Sequence, residues 1–219
     1  MPVVEGHPYE ATIWRYCLSK LGNPVGAAAM LGNWRNESAN YPNRLQGSHV
    51  GDGTSEAYTA KVDAGNVSKN DFVYNGPGGG GYGLAQWTYW SRKKNMWEFW
   101  KNGNYPSIGD LQLGLDFWWW ELNNGYSGTL NQCTNGTDIR EVTVYVLKKY
   151  ERPADQGEEA QNRRTRHAQE YYDYYTGAGA GEGEDLPGTG GGIFIPSNTL
   201  TPVLPYLTIY KRRRYRVVR

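Results

Sequence analysis

Apolar positions recur with helical spacing over most of the first 175 residues, and the breaks between the periodic runs mark where one element ends and the next begins. Ile13, Cys17 and Leu21 fall on one face at spacing four, with Trp14 and Leu18 beside them, which predicts a helix over 8–22. Asn23-Pro24 restarts the chain: Asn is a good N-cap and proline suits the first helical position. The second helix is expected from Pro24 to Glu37, ended by Tyr41-Pro42, and its Gly26, Ala27, Ala28, Ala29 and Gly32 mark it as a central helix that neighbours approach closely. Further helices are expected over 88–103 with Thr88 as cap, over 107–123 with Ser107 as cap and Asp110 three residues on, over 137–153, and over 155–175 with Asp155 and Glu158 as a capping pair. In 107–123 the stripe Ile108, Leu111, Leu115, Trp118 and Leu122 repeats at helical spacing.

Two stretches lack this period. Residues 43–81 read as irregular, with a short helix in YTAKVDAG (58–65), a strand or turn in SKNDFVYN (68–75) and a glycine cluster, GPGGGGYG (76–83). Loops of this length inside a compact domain are uncommon and often functional. From 176 to 192, TGAGAGEGEDLPGTGGG has the composition of a linker, and 193–219 is a proline- and β-branched tail ending in KRRRYRVVR. The expected organisation is a mainly α domain over 1–175, a Gly-rich linker over 176–192 and an extended basic tail over 193–219. The tail reads either as a segment that docks on a partner or as a solvated end.

Composition narrows the function. The chain has 219 residues, enough for one sizeable domain with an appendage or for two small domains. Only 38% of residues are hydrophobic, but nine Trp and 18 Tyr supply large amphipathic rings, which fill cores and also line grooves for sugars and other flat ligands. The net charge of +1 conceals an asymmetry: without the last nine residues, 17 basic residues face 22 acidic ones, a net of −5. The body is therefore mildly acidic and lacks a nucleic-acid binder's charge, while the basic end could hold anionic polymers or anchor the chain in an assembly. Cys17 and Cys133 form no CxxC, and with three scattered histidines there is no zinc-ligand spacing. A Cys–His peptidase is possible on inventory alone, but Cys17 lies in a helical pattern where a small buried thiol is the plainer reading; whether the two cysteines pair is left open. The N-terminus shows no charged-then-apolar export pattern and no run reaches the length of a membrane span, so action outside a cell calls for another delivery route.

The chemistry centres on LGNWRNESANYP (31–42), where a helix of small residues ends in one carboxylate, Glu37. A glycosidase acid must keep its proton near neutral pH, and partial burial against rings such as Trp34 achieves that. Taken alone, Glu37 reads more readily as a solvated acid at a helix end. A second stretch, GGYGLAQWT (80–88), joins a tight glycine turn to an apolar residue, a Gln and a Trp just before a helix.

Together with GNWRNESAN (32–40), YTAKVDAG (58–65), GYGLAQWTYWSRKK (81–94), SIGDLQLGLDFWWWEL (107–122) and KKYERPAD (148–155), this order of motifs resembles the phage tail-type lysozyme family across about Pro8 to Tyr175. The resemblance implies a lysozyme-like α domain, distantly similar to goose-type lysozymes and lytic transglycosylases, in which the irregular segment forms part of the groove. It implies cleavage of peptidoglycan between N-acetylmuramic acid and N-acetylglucosamine, with no metal or organic cofactor, by a virion tail protein acting during penetration of the host. The family's catalytic acid corresponds to Glu37, and Tyr82, Gly83, Gln86 and Trp87 become candidate substrate-binding residues. Glycosidases usually pair their acid with a second carboxylate. The candidates are Asp52, Glu56, Asp63 and Asp71, with Asp63 first because it lies in VDAG, and Asp71 second. Relatives often carry an Asp shortly before GYGLAQW, where this chain has Asn75 and an extra glycine run. That departure keeps a single-acid, transglycosylase outcome open, and a structural tail protein with a degenerate glycan-binding domain is the reading from another class. Partners would be peptidoglycan and, through 193–219, other tail proteins. Of the three Trp in FWWWEL (117–122), one or two are expected in the core and one at the groove.

Overall fold

Asn23 shows how the chain begins its main helix. Its side chain accepts from Val25 N at 3.0 Å, Pro24 fills the first helical position, and α2 (Pro24–Ser38) follows. The computed structural model of the chain describes residues 7–75 and 80–177. The linker from 178 onward and the tail lie outside the described residues. Those described are mainly helical, and eight α-helices are present among them: α1 (Glu10–Leu21), α2, α3 (Thr54–Asp63), α4 (Trp90–Asn102), α5 (Leu111–Asn124), α6 (Ser127–Asn135), α7 (Ile139–Val146) and α8 (Glu158–Thr176). Two five-residue π-helical turns, Asp71–Asn75 and Leu147–Glu151, complete the element order. The only paired extended residues among those described are isolated bridges of Tyr82 with Leu45 and with Trp87.

α2 is the central helix, packed against α1, α6, α7 and α8. Ala27, Ala28, Ala29, Met30 and Leu31 are fully buried. The small residues permit backbone approach: a Cβ on Gly26 would sit 2.0 Å from the Cys133 carbonyl oxygen of α6, and one on Gly32 would sit 2.6 Å from the Ala168 nitrogen of α8. α1 buries the face read from its pattern, Ile13, Trp14, Cys17 and Leu21, and ends at Gly22 in the left-handed conformation, φ +66°. Cys17 and Cys133 are both free buried thiols, and burial pushes both up, Cys133 to about 12.

Several boundaries differ from the sequence expectation, each for a local reason. α4 starts at Trp90, because Thr88 Oγ1 turns back to donate to Gln86 O at 2.9 Å instead of capping the helix. α5 is capped by Asp110, whose Oδ1 accepts from Leu113 N at 3.0 Å, while Ser107 Oγ accepts from Gly109 N one turn earlier. The run 137–153 is two elements: α7, capped by Asp138 through Glu141 N at 2.7 Å, and the π-helical turn that follows. α8 begins at Glu158, with Asp155 Oδ1 accepting from Gly157 N. α6 was not foreseen, and SKNDFVYN contains a π-helical turn where a strand or turn was expected.

Candidate active site

The C-terminal end of α2 delivers Glu37. The helix stops because Ala39 and Asn40 both take left-handed backbone, φ +53° and +60°, an unfavourable conformation for residues with a side chain. Asn40 is held there by its side-chain Nδ2, which donates to Glu10 Oε1 at 2.9 Å and Tyr171 OH at 2.8 Å, and all three residues are buried. Arg35, two residues before Glu37, points away to pair with Glu170 of α8 at 2.7 Å. Glu37 Oε1 lies 2.6 Å from Nη2 of the buried Arg164 of α8. That contact is an ion pair, and Oε1, which is buried, has no other donor among the described residues. Arg164 is in turn fixed to α2, with Nη1 donating to Asn33 Oδ1 at 3.2 Å.

Glu37 opens into a cleft of about 1010 Å³, a volume suited to a small-molecule or oligomer segment. The far wall comes from the chain 85–92: Ala85, Gln86, Thr88, Tyr89, Trp90, Ser91 and Arg92. Gln46, Tyr126 and the stretch Glu151 to Ala154 complete it. Tyr89 and Trp90 are 63% and 44% exposed, and their rings lie 5.9 Å apart at the cleft rim. Tyr74, also exposed, stacks on Trp90 at 6.1 Å. Large exposed rings of this kind offer apolar faces to pyranose rings.

The glycine turn before this wall is a tight loop. Tyr82 N donates to Trp87 O and Trp87 N to Tyr82 O, at 3.3 and 3.0 Å. Gly83 takes φ +81°, and a Cβ there would meet the Trp87 ring at 2.8 Å. Gln86 pins the turn to residue 44: its Nε2 donates to Arg44 O at 2.9 Å and Gly83 O at 3.0 Å. Gln46 Oε1 accepts from Gly81 N at 2.7 Å.

Of the residues expected at the site, Glu37 and Gln86 are brought together in the cleft. Tyr82, Gly83 and Trp87 are not among its lining. Tyr82 and Trp87 are fully buried: the Tyr82 hydroxyl meets Thr59 Oγ1 at 2.6 Å, and Trp87 Nε1 donates to Glu121 at 2.7 Å. They build the wall from behind. Asp63 is exposed at the end of α3, where its Oδ1 accepts from Ile108 N at 2.9 Å, and it does not line the cleft. Asp52, Glu56 and Asp71 are likewise absent from the lining. Asp52 accepts from His49 N and Thr54 N, Glu56 faces Asn43, and Asp71 accepts from Ser68 Oγ. The Trp cluster does not reach the cleft either: Trp118 is buried against Trp34, and Trp120 stacks on Phe117 at the surface.

The acid that residue-by-residue reading missed is Glu151. Both of its carboxylate oxygens are buried without a hydrogen-bond partner among the described residues, although the residue as a whole reaches the surface. Burial first, and then the neighbouring Glu37 charge, push its carboxyl well above the usual glutamate range. Its only sequence signal is its place in KKYERPAD, one of the ordered motifs. No group of three or more His, Cys, Asp or Glu side chains placed to hold a metal ion occurs among the described residues, and no helix there is long and apolar enough to cross a membrane.

The family model described as phage tail lysozyme matches residues 9–175, the whole span that carries the cleft. The chain belongs to the phage tail lysozyme family. No curated protein and no solved structure matches it. Within the family domain the ordered motifs converge physically: Trp87 of the glycine turn, Arg92 of α4, Glu121 of α5 and Tyr150 of the second π-helical turn meet around one buried carboxylate.

Proposed function

We propose that the protein is a muramidase of a bacteriophage tail, cutting the glycan strand of peptidoglycan between N-acetylmuramic acid and N-acetylglucosamine to open the host wall during penetration. The observation that carries this reading is the placement of Glu37 in the cleft of a phage tail lysozyme domain, with an aromatic rim beside it. Glu37 gives its proton to the glycosidic oxygen as the C–O bond breaks, and the positive charge that develops at the anomeric carbon forms beside acidic side chains. Water then adds its hydroxide to that carbon and returns a proton to the site. Tyr89 and Trp90 stack on sugar faces, and Gln86, whose nitrogen is committed to the turn, faces the cleft as a wall residue.

One observation favours a second outcome. Glu37 and Glu151 are the only carboxylates lining the cleft among the described residues, and none of the acids from 52–71 joins them. Where no separate base activates water, the substrate's own C6 hydroxyl can attack, giving a 1,6-anhydro product. Mass spectrometry of digested glycan separates the two: a reducing-end sugar marks hydrolysis and an anhydro end marks transglycosylation.

Purified walls treated with wild type and with Glu37→Gln test the main reading. Wild type is expected to clear the suspension, and the variant to lose activity by about 10²-fold or more. A wild-type protein that binds walls from susceptible hosts without clearing them would leave a glycan-binding tail module. A variant that clears them at the wild-type rate would remove Glu37 from the acid's role.

A further inference from the structure

The buried face of α8 sets one arginine, Arg164, between two alanines at spacing four, Ala160 and Ala168. The small neighbours let α8 lie against α2, where a Cβ on Gly32 would meet the Ala168 backbone at 2.6 Å. Arg164 is thereby carried into the joint between the two helices and is only 5% exposed. A guanidinium at that depth needs acceptors, and α2 supplies them. Nη1 donates to Asn33 O at 3.3 Å and to Asn33 Oδ1 at 3.2 Å, and Nη2 pairs with Glu37 Oε1 at 2.6 Å. Asn33 is itself fixed: it is fully buried, and its Nδ2 donates to Ala29 O at 2.9 Å and to Thr143 O of α7 at 3.2 Å.

This arrangement makes the two oxygens of Glu37 unequal. Oε1 is buried against the cation. The side chain as a whole keeps 15% of its surface and lines the cleft, which it faces with its other oxygen, Oε2. An oxygen 2.6 Å from a guanidinium nitrogen is held as an acceptor, since arginine offers donors only. Glu37 is also the one carboxylate paired with Arg164 among the described residues. Breaking such a pair leaves an uncompensated buried charge, so Oε1 stays where it is.

We propose that Arg164 is the positioning residue of the acid: it holds Oε1 in the wall, so that Glu37 carries and delivers its proton from Oε2 alone. As the glycosidic C–O bond breaks, the Oε2–H bond breaks with it and the proton passes to the leaving oxygen. The carboxylate charge that remains forms against the guanidinium. Water, or the substrate's C6 hydroxyl, then bonds to the anomeric carbon and returns its proton to Oε2, which restores the starting state. The delivery role rests on the reading of the cleft as a glycan-cleaving site; the Arg164–Glu37 pair does not.

The test has two arms. In the first, kcat and KM of wild type and Arg164→Met are compared on two soluble glycans. One is a natural oligomer, whose leaving sugar needs a proton. The other ends in a dinitrophenyl glycoside of N-acetylmuramic acid, whose phenolate leaves without one. The variant is expected to lose about 10-fold or more in kcat on the oligomer and less than about 3-fold on the glycoside, with KM within about 2-fold on both. Equal losses on the two overturn the proposal, because a merely loosened site slows both alike. If Arg164→Met does not fold, Arg164→Lys, which keeps a buried cation but loses the fork, carries the same comparison. The second arm needs no turnover: NMR of the isotope-labelled protein follows rotation of the Arg164 Nη2 group. Two distinct Nη2 proton signals in wild type that merge in Glu37→Ala are expected, and merged signals in wild type overturn the pair and the proposal with it. A wild type that cleaves neither glycan sinks the muramidase reading together with the delivery role, whereas equal losses from an active wild type sink the delivery role alone.

Discussion

Trp87 Nε1 donates to Glu121 Oε2 at 2.7 Å, tying the glycine turn at the cleft wall to the last turn of α5. The same oxygen accepts from the Tyr150 hydroxyl at 2.8 Å, and the Arg92 guanidinium forks onto both carboxylate oxygens. Arg92 also stacks over the Tyr150 ring at 4.6 Å and the Tyr126 ring at 5.3 Å. Three stretches distant in sequence, 87–92, Glu121 and Tyr150, thus meet at one carboxylate. Because Tyr150 immediately precedes Glu151, this hub also fixes the π-helical turn that carries the second cleft acid. The rigidity of the site comes from behind it, as a catalytic constellation requires.

Removing the centre of this hub leaves a buried guanidinium, a tyrosine hydroxyl and an indole N–H without their acceptor. Glu121→Ala is expected to cost about 3–5 kcal/mol, the cost of breaking a buried pair by deleting one partner. Glu170→Gln removes the more exposed Arg35–Glu170 contact and should cost less than about 1 kcal/mol. Urea unfolding of the two variants measures the difference; equal losses would mean that the hub does not anchor the fold.

α2 tolerates no added volume where α6 crosses it. Gly26→Ala places a methyl 2.0 Å from the Cys133 carbonyl oxygen, and backbone on both sides leaves nothing flexible to yield. A loss of about 1–3 kcal/mol or more is expected. Gly125→Ala at the end of α5 meets only the Glu121 carbonyl oxygen, at 3.8 Å, and serves as the permissive control. Thermal melts followed by far-UV circular dichroism rank the two.

The central role of α2 was legible because interior glycines such as Gly26 and Gly32 weaken a helix unless a neighbour needs the space, and burial of the α1 face followed from spacing alone. α6 was invisible for a physical reason: SGTLNQCTN offers only Leu130 and Cys133 as apolar residues. Its place is set from outside, by Asn23 Nδ2 donating to Cys133 O at 3.0 Å and Gly136 O at 2.8 Å, and by packing against α2, α5 and α7. At the site, the helix end alone left Glu37 reading as a solvated acid, and the ordered motifs that follow it, above all GYGLAQWT, made it the candidate acid. Tyr82 and Trp87 were candidates only through the family resemblance of their motif; in the fold their rings pack inward, behind the cleft wall. Glu151 carried no local signal, since a Glu after Lys-Lys-Tyr at a helix end looks like any solvated acid. Its meaning arises when the fold seals its oxygens beside Glu37.

The exposed rings at the rim should act on binding more than on chemistry. Trp90→Ala removes a stacking face that lies along the cleft, and Tyr89→Ala removes its neighbour. Each stacking face lost should cost about 0.5–1.5 kcal/mol, seen as a several-fold rise in KM on soluble glycan oligomers with kcat changed less. Equal falls in kcat and kcat/KM would place these rings at the reacting bond itself.

Glu151 makes a stability prediction of its own, independent of any substrate. Its carboxyl is pushed well above the usual glutamate range in the folded chain, by burial and then by Glu37. The unfolded chain releases this proton near pH 4.3, whereas the native state holds it to higher pH. This group's favourable share is therefore complete below about pH 4.3 and declines as pH rises above it. Glu151→Gln removes that titration and leaves a neutral group with donors of its own facing Glu37. The variant should match or exceed wild type at pH 7, by on the order of 1 kcal/mol, or about 2–4 °C in Tm, and the gap should shrink as the pH is lowered towards 4. A gain in stability coupled to a loss of wall cleavage is the pattern of a residue kept for function at the expense of the fold. Melting curves at pH 4, 5.5 and 7 test it: a variant less stable than wild type at pH 7 by the same margin as at pH 4 would show that Glu151 is held for packing alone.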